Sequence, residues 1–430
     1  MNSRPNSHLL YAWYGDDFTG STDVLEALGL HGIDAVLFTH TPQPRDIAAF
    51  PNCRAIGIAG ESRSRTPAWM NRNLPRIFRT LCRLNVPLSH YKVCSTFDSS
   101  PKFGSIGRAI ELGRGIFGRR AVPVVVGAPY LGRAVVFGNL FAEANGTTFR
   151  IDRHPTMRHH PVTPMTEADL RLHLAKQTSS RSSLVDLTAF QSHSAESRFL
   201  AEENAGAELV VFDGFSGAML KETARIIWKR TADRPVFAVG SSGLTHGLLQ
   251  YWESTNLIRA SRPPAKAKPV DRLLVLSGSC SPVTAVQIRR AKQMGFAAWR
   301  LSGAAPWARQ VAQSHHALTN GQSVVLYTAL GPQPKNEKYN ENFAASMGTM
   351  LRNLVLTTGV RRILIAGGDT STHAVKQLKI DALTFAASLA PGVPLCRIHA
   401  VGSPLHGLEL ALKGGQMGSE NFFAQVRDPG

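Results

Sequence analysis

The sequence predicts an α/β protein of two domains, each a mostly parallel sheet flanked by helices, with an interdomain cleft. Three observations predict it. Short apolar runs that close on glycine or small polar residues alternate with stretches of helical spacing. The alternation breaks once, at a stretch rich in proline, alanine and lysine, and then restarts. The chain has 430 residues, enough for two such domains.

The first run, 8–15 ("HLLYAWYG"), reads as a buried strand, and 22–32 ("TDVLEALGLHG") as a helix ending on glycine. Further strands are expected at 34–39, 54–60, 90–96, 121–129, 183–187, 208–214 and 235–243. Helical spacing fills gaps at 67–84, 103–113 and 216–229, which makes the whole a doubly wound domain. Residues 258–271 ("IRASRPPAKAKPVD") have no periodic apolar face and read as a linker. The pattern resumes with strands at 272–280, 323–330, 361–371 and 394–398 and helices near 282–294 and 341–357. The domains expected are therefore 1–257, which would bind a substrate, and 272–430, joined by 258–271.

Composition excludes several classes. The 43% apolar content allows a sizeable core. No apolar run reaches the roughly 18 residues of a membrane span, and the N-terminus lacks the apolar core of a signal peptide. The five cysteines are scattered without a C-x-x-C pair, which fits free thiols in the cytoplasm and no zinc site. The net charge of +18 could serve nucleic acid, but the arginines are spread along the chain with no basic tail or basic-aromatic repeat. A basic surface that attracts small anions is the simpler reading, with neither nucleic acid nor membrane as partner.

Chemistry is expected at strand ends, where open α/β sheets hold ligands. In "YGDDFTGSTD" (14–23), Asp16 and Asp17 sit where a strand stops and a helix begins. "GESRSR" (60–65) brings Arg63, and "YKVCSTFDS" (91–99) brings Lys92, Asp98 and Ser99, with the glycines of "SPKFGSIG" (100–107) then opening a helix. Carboxylates and hydroxyls suit the OH groups of a polyhydroxylated acid, and a guanidinium or ammonium suits its carboxylate. Each stretch alone is also an ordinary turn or cap.

Three glycine-rich turns mark the second domain. "ILIAGGDTSTHAV" (363–375) sets Gly367, Gly368, Asp369 and Thr370 between a strand and a helix, "LSGSCSPVTAVQI" (276–288) does the same with Ser279, and "ALKGGQMGSENFF" (411–423) supplies Lys413, Gly414, Gly415 and Gly418. Paired glycines admit a bulky anion, and the following amides donate to phosphate oxygens at a helix start. No Walker A pattern occurs and none of the three turns is a G-x-G-x-x-G fingerprint, so a P-loop ATPase and a dinucleotide dehydrogenase are disfavoured. In "RIDRHPTMRHHPVTPMTEADLRLHL" (150–174), His154, His159 and His160 fit no standard metal spacing and are expected in a loop near the substrate. Thr166 is expected to cap the next helix, with Asp169 three residues on.

The chain resembles the four-carbon acid sugar kinase family nearly end to end. The resemblance rests on the order and spacing of "DDFTGSTD", "ESRSR", "STFDS" running on into "SPKFGSIG", "APYLGRAVVFGNLF", "HPVTPM", "SGSCSPVTAVQI", "AGGDTS" and "LKGGQMGSENFF". It implies an N-terminal acid-sugar domain, a C-terminal ATP domain, and transfer of the γ-phosphoryl group of ATP, with Mg²⁺, to the terminal hydroxyl of a tetronate or 3-oxo-tetronate. By position it implies Asp16, Asp17, Arg63, Lys92, Asp98 and Ser99 at the acid sugar, and Ser279, Gly367, Gly368, Asp369, Thr370 and Gly415 at ATP. Placement at the first strand end suggests Asp17 as the base, with Asp369 the competitor. Two departures touch the sugar side. The stretch 98–107 lacks the arginine-glycine-asparagine often found there, and "RIDRHPTMRHHPVTPM" is longer and richer in histidine, so a branched or oxidised sugar acid is open. A homodimer is also open. The rival reading, a non-catalytic sugar-acid sensor, explains the polar strand ends but not three glycine-rich turns in the other domain.

Overall fold

The computed structural model describes residues 8–144, 146–160, 162–259, 266–302, 305–331 and 341–429, with only the backbone of Glu341 and Asp369. The described residues form two compact units, one of 8–16 and 41–259, the other of 17–40 and 266–429. Residues 260–265 of the expected linker lie outside the described residues. In chain order the strands are β1 (Tyr11–Gly15), β2 (Ala35–Phe38), β3 (Ala55–Ala59), β4 (Leu88–Lys92), β5 (Val122–Val125), β6 (Arg133–Val136), β7 (Asn139–Ala144), β8 (Thr147–Arg150) and β9 (Ser182–Val185). They continue as β10 (Leu209–Phe212), β11 (Val236–Gly240), β12 (Leu274–Ser277), β13 (Ala297–Arg300), β14 (Val324–Tyr327), β15 (Arg362–Ala366), β16 (Ala382–Ala390), β17 (Val393–His399) and β18 (Glu409–Lys413).

In the first unit β3, β1, β4, β11, β5, β10 and β9 lie side by side, every pair parallel. A parallel sheet is covered on both faces, so its strands are largely apolar, as in the fully buried Tyr-Ala-Trp-Tyr-Gly of β1. The edge strand β9 carries Ser182 and Ser183, and β4 buries Ser89 and His90; His90 is bonded through both ring nitrogens. Its Nδ1 pairs with the Tyr11 hydroxyl at 2.5 Å, its Nε2 donates to Gly240 O at 3.0 Å, and burial pushes its pKa down to about 3. Helices follow their periodicity: Pro67–Arg83 starts at a Thr66 cap and buries Met70, Leu74, Phe78 and Leu81 at spacings of four and three. The antiparallel sheet β6–β7–β8 was not expected from the sequence. The helix expected to start at Thr166 starts later, because Asp169 is the residue that caps it, accepting from Arg171 N at 2.9 Å.

In the second unit β13, β14, β12, β15 and β18 are parallel neighbours, and β17, β16 and β2 extend the sheet antiparallel. Here the expected boundary needs correction, because residues 17–40 fold with the second unit, not the first. The helix Phe18–Leu30 packs on β16 and β17, β2 pairs with β16, and buried Glu26 accepts from Ser388 Oγ at 2.6 Å and Gly392 N at 2.7 Å. Local periodicity marks an apolar face but not the distant segment that covers it. One helix layer holds Pro282–Gln293 and Phe422–Arg427, the other Ala308–Thr319, Glu341–Thr358, Gly368–Leu378 and Phe18–Leu30. The helices that follow β12 and β15 therefore leave on opposite faces, which makes the carboxyl ends of these two neighbours a topological switch point.

Candidate active site

In the first unit the strand ends converge on Lys92. It closes β4 between Gly15 of β1 and Gly240 of β11, in register with both, and is buried. Asp16 follows Gly15, donates its N–H to Lys92 O at 2.9 Å, and is nearly fully buried. Arg63 grips the Asp16 carboxylate with both arms of its fork, Nη2 to Oδ1 at 2.9 Å and Nε to Oδ2 at 3.3 Å. Arg63 N also donates to Asp16 O at 3.1 Å, while Glu61 takes Arg65 at 2.6 Å.

Asp98 accepts from the Thr96 hydroxyl at 2.5 Å. The Ser99 hydroxyl is held inside the protein by Phe97 O at 3.1 Å, His173 Nε2 at 2.8 Å and Gln177 Nε2 at 2.8 Å. Ser99 thus braces the loop that carries Asp98. His173 is pushed down to about 4 by burial and braces the same loop as a neutral ring.

Cys94 sits among these groups. Burial raises its thiol, and Arg63, Lys92 and Asp98 all act on it. So does Arg133, a half-buried cation from the start of β6 whose Nη1 donates to Leu131 O at 2.7 Å. Arg133 lies inside "APYLGRAVVFGNLF", yet strand-end reasoning passes over it because it comes from the small antiparallel sheet. Arg63, held on Asp16, stands with Lys92 and Arg133 among Asp16, Asp98 and Glu143, a mixed cluster whose cations suit a small carboxylate and whose carboxylates suit its hydroxyls. His154, also buried, accepts at Nδ1 from Thr156 N and Met157 N, each at 3.2 Å. His160 Nδ1 accepts from Thr163 N at 3.1 Å. These histidines hold backbone turns, and no group of three potential metal ligands occurs among the described residues.

In the second unit the carboxyl ends stand in one rank: Arg300, Tyr327, Ser277, Ala366 and Lys413 are register partners, strand to strand. The three glycine-rich turns leave this rank and interlock. A β-carbon on Gly278 would meet Thr370 Oγ1 at 1.8 Å, and one on Gly415 would meet Ser279 Oγ at 2.7 Å. Gly367 has φ of 115°, a conformation that favours glycine, and donates to Lys413 O at 2.8 Å. Ser279, Gly367, Thr370 and Gly415 are thereby gathered at the switch point, at the start of the helix Gly368–Leu378. The Asp369 side chain lies outside the described residues.

Asp17 belongs to this unit as well. It caps the helix Phe18–Leu30, Oδ1 accepting from Gly20 N at 2.6 Å, and Oδ2 faces Gly368. Lys413, which the sequence places in the third turn, and Gln287, which its spacing does not single out, shape that turn. Lys413 Nζ donates to Thr284 Oγ1 and Gly414 O, each at 3.0 Å, and burial pushes it down to about 7. Gln287 Nε2 donates to the carbonyls of Met417, Gly418 and Ser419 at 2.9–3.1 Å. Carbonyls held this way are turned from any anion at the turn. Ser277 Oγ, buried at the switch point, has no hydrogen-bond partner among the described residues. The interlocked glycines, the helix start and that orphan hydroxyl fit a phosphate chain.

Polar strand ends in one unit and glycine turns in the other define a protein with a sugar-type site and a nucleotide-type site. The chain belongs to the four-carbon acid sugar kinase family: its sugar-binding N-terminal domain matches residues 11–248 and its nucleotide-binding C-terminal domain residues 274–423. It is 41% identical to the 3-oxo-isoapionate kinase of Paraburkholderia graminis, over 98% of this chain and 94% of the relative. It is 28% identical to the 3-oxo-tetronate kinase of Brucella melitensis, over 96% and 94%, and 29% to that of Pseudomonas fluorescens, over 99% and 97%. Crystal structures of a Salmonella typhimurium LT2 protein (TM-score 0.77, 23% identity, 97% and 98% covered) and a Haemophilus influenzae protein (0.69, 22%, 97% and 99%) share the fold. Among the described residues no helix is long and apolar enough to cross a membrane.

Proposed function

We propose that this protein is a kinase that transfers the γ-phosphoryl group of ATP to a hydroxyl of a small 3-oxo sugar acid. The observation that carries the reading is the pair of unlike sites: a buried cation–carboxylate floor under the carboxyl ends of β1 and β4, and a phosphate cradle between β12 and β15. The relatives' names support the substrate class, and the 41% identity favours an acid like that of the 3-oxo-isoapionate kinase over a tetronate.

Phosphoryl transfer asks a protein mainly for positioning and charge neutralisation. Lys92 and Arg133 would take the substrate carboxylate, with Arg63 held in place by Asp16. Asp16 and Asp98 would accept from its hydroxyls. The amides of Gly368 and Thr370, with the hydroxyls of Ser277 and Ser279, would hold the β- and γ-phosphates. Mg²⁺ arriving with ATP would neutralise the phosphate oxygens. Asp17, beside the Gly368 turn, would accept the proton of the attacking hydroxyl.

The test is ADP release with ATP, Mg²⁺ and a panel of four- and five-carbon sugar acids, including 3-oxo acids. Release that depends on one acid supports the reading. Tight binding of an acid without ADP would restore the sensor, which relatives that are all named kinases do not favour.

A further inference from the structure

We propose that an apolar cavity of about 590 Å³ in the second unit receives the adenine base of the nucleotide. The inference rests on ATP binding at the glycine turns and names where its other end goes. The volume falls within the roughly 300–1,000 Å³ of small-molecule pockets.

The cavity lies between the helices Ala308–Thr319 and Glu341–Thr358, walled by Pro306, Trp307, Val311, Ala345 and Met350. These helices follow β13 and β14, so they begin at the same sheet edge as the glycine turns. The rank Arg300–Tyr327–Ser277 places that edge one to two strands from the switch point. At strand spacing of about 4.8 Å the ends of β14 and β13 stand roughly 5–10 Å from that of β12, and the cavity opens in the helix layer beside them.

The lining chemistry selects a neutral flat ring. Among the described residues no Asp, Glu, Lys or Arg lines the cavity, so these residues offer a phosphate or a sugar acid no counter-charge. Trp307 is held by Nε1 donating to Ser302 O at 3.1 Å and by an edge-on contact with Phe343 at 5.0 Å, so an ordered aromatic residue forms part of the lining. The hydroxyls of Ser346 and Thr349 are turned back onto their own helix, to Asn342 O at 2.9 Å and Ala345 O at 3.2 Å. Asn342 and Asn353 are exposed at the rim, and a carboxamide offers the donor–acceptor pair that matches an adenine edge.

The test titrates the full-length protein, without sugar acid, with ADP, adenosine and tripolyphosphate. Adenosine is expected to displace ADP from the wild type. Filling the cavity with Ala345→Trp is expected to weaken ADP and adenosine about tenfold or more and to leave tripolyphosphate unchanged. Val311→Trp fills it from the facing helix should the first variant fold poorly, and the wild-type competition needs neither. Adenosine that does not displace ADP, or ADP affinity untouched in both folded variants, overturns the inference while leaving ATP binding intact. A wild type that binds neither ADP nor tripolyphosphate removes the ATP reading itself, and this inference with it.

Discussion

The carboxylate of Asp17 stands against Gly368, the first residue of the helix that follows β15: a β-carbon there would meet Oδ2 at 3.7 Å. Asp17 also caps its own helix through Gly20 N. Asparagine caps a helix about as well as aspartate, so Asp17→Asn removes the charge and keeps the fold. Turnover should fall by about 100-fold or more, with ADP affinity changed little. Steady-state ADP release and ADP titration measure the two, and near-normal turnover would dismiss Asp17 as the base.

The cations of the first unit should act on the acid substrate alone. Arg63→Lys breaks a two-armed grip on Asp16 that an ammonium cannot reproduce. Arg133→Met removes the half-buried positive charge beside Cys94. Each should raise KM for the sugar acid by about tenfold or more, the worth of a hydrogen bond to a charged group, and leave ADP binding as it was. Unchanged KM in Arg133→Met would show that its charge serves only the turn at Leu131.

Gly278→Ala tests the phosphate cradle. The added carbon would overlap Thr370 Oγ1, so one of two interlocked turns has to give. ADP affinity should collapse while thermal stability stays near wild type, and Thr370→Ala in the same chain should restore part of it, because the clashing hydroxyl is gone. ADP bound equally well by Gly278→Ala would move the phosphates elsewhere.

Glu26 gives a pH dependence of stability. Burial pushes its carboxyl up to about 7, against the bonds from Ser388 and Gly392 that favour the charged form. An unfolded glutamate titrates near 4.3, so the folded protein holds the extra proton between these values. Its contribution is fully present below the unfolded value and is lost as pH rises through about 7. Glu26→Gln does not titrate and can still bond both partners. Denaturant melts at pH 5 and pH 8 should show the variant gaining on wild type by roughly 1–3 kcal/mol at the higher pH. A constant difference would return Glu26 to the ordinary carboxylate range.

What was legible in the sequence follows from how local each signal is. Most buried parallel strands were readable, because both faces are covered and the runs are largely apolar, but β18, framed by Glu409 and Lys413, was not. β16 was not, since register shifts near Phe385 and Ser388 break the alternation that marks an antiparallel strand. β13 is a short edge strand with half-buried residues, and β6–β8 are partly exposed. Among site residues, Asp16, Arg63, Lys92, Ser279 and Gly367 stand at strand ends or glycine turns, where position alone draws notice. Lys413 was readable as part of the third glycine turn, though its partner Thr284 lies 129 positions away. Gln287 has partners 130 to 132 positions away and Arg133 reaches its neighbours from another sheet, so spacing carried no trace of those two.

Because helix Phe18–Leu30 and β2 belong to the second unit, the order in which the chain is made runs against the order in which it can pack. Thr39 reaches Ile380, 341 positions later, so a segment synthesised near the start waits for its partners until the chain is almost complete. Such long-range closure slows folding and leaves an apolar surface uncovered during synthesis. A gene fragment cut at the linker would separate the two: the downstream piece would carry the naked border of β16, and the upstream piece an orphaned β2.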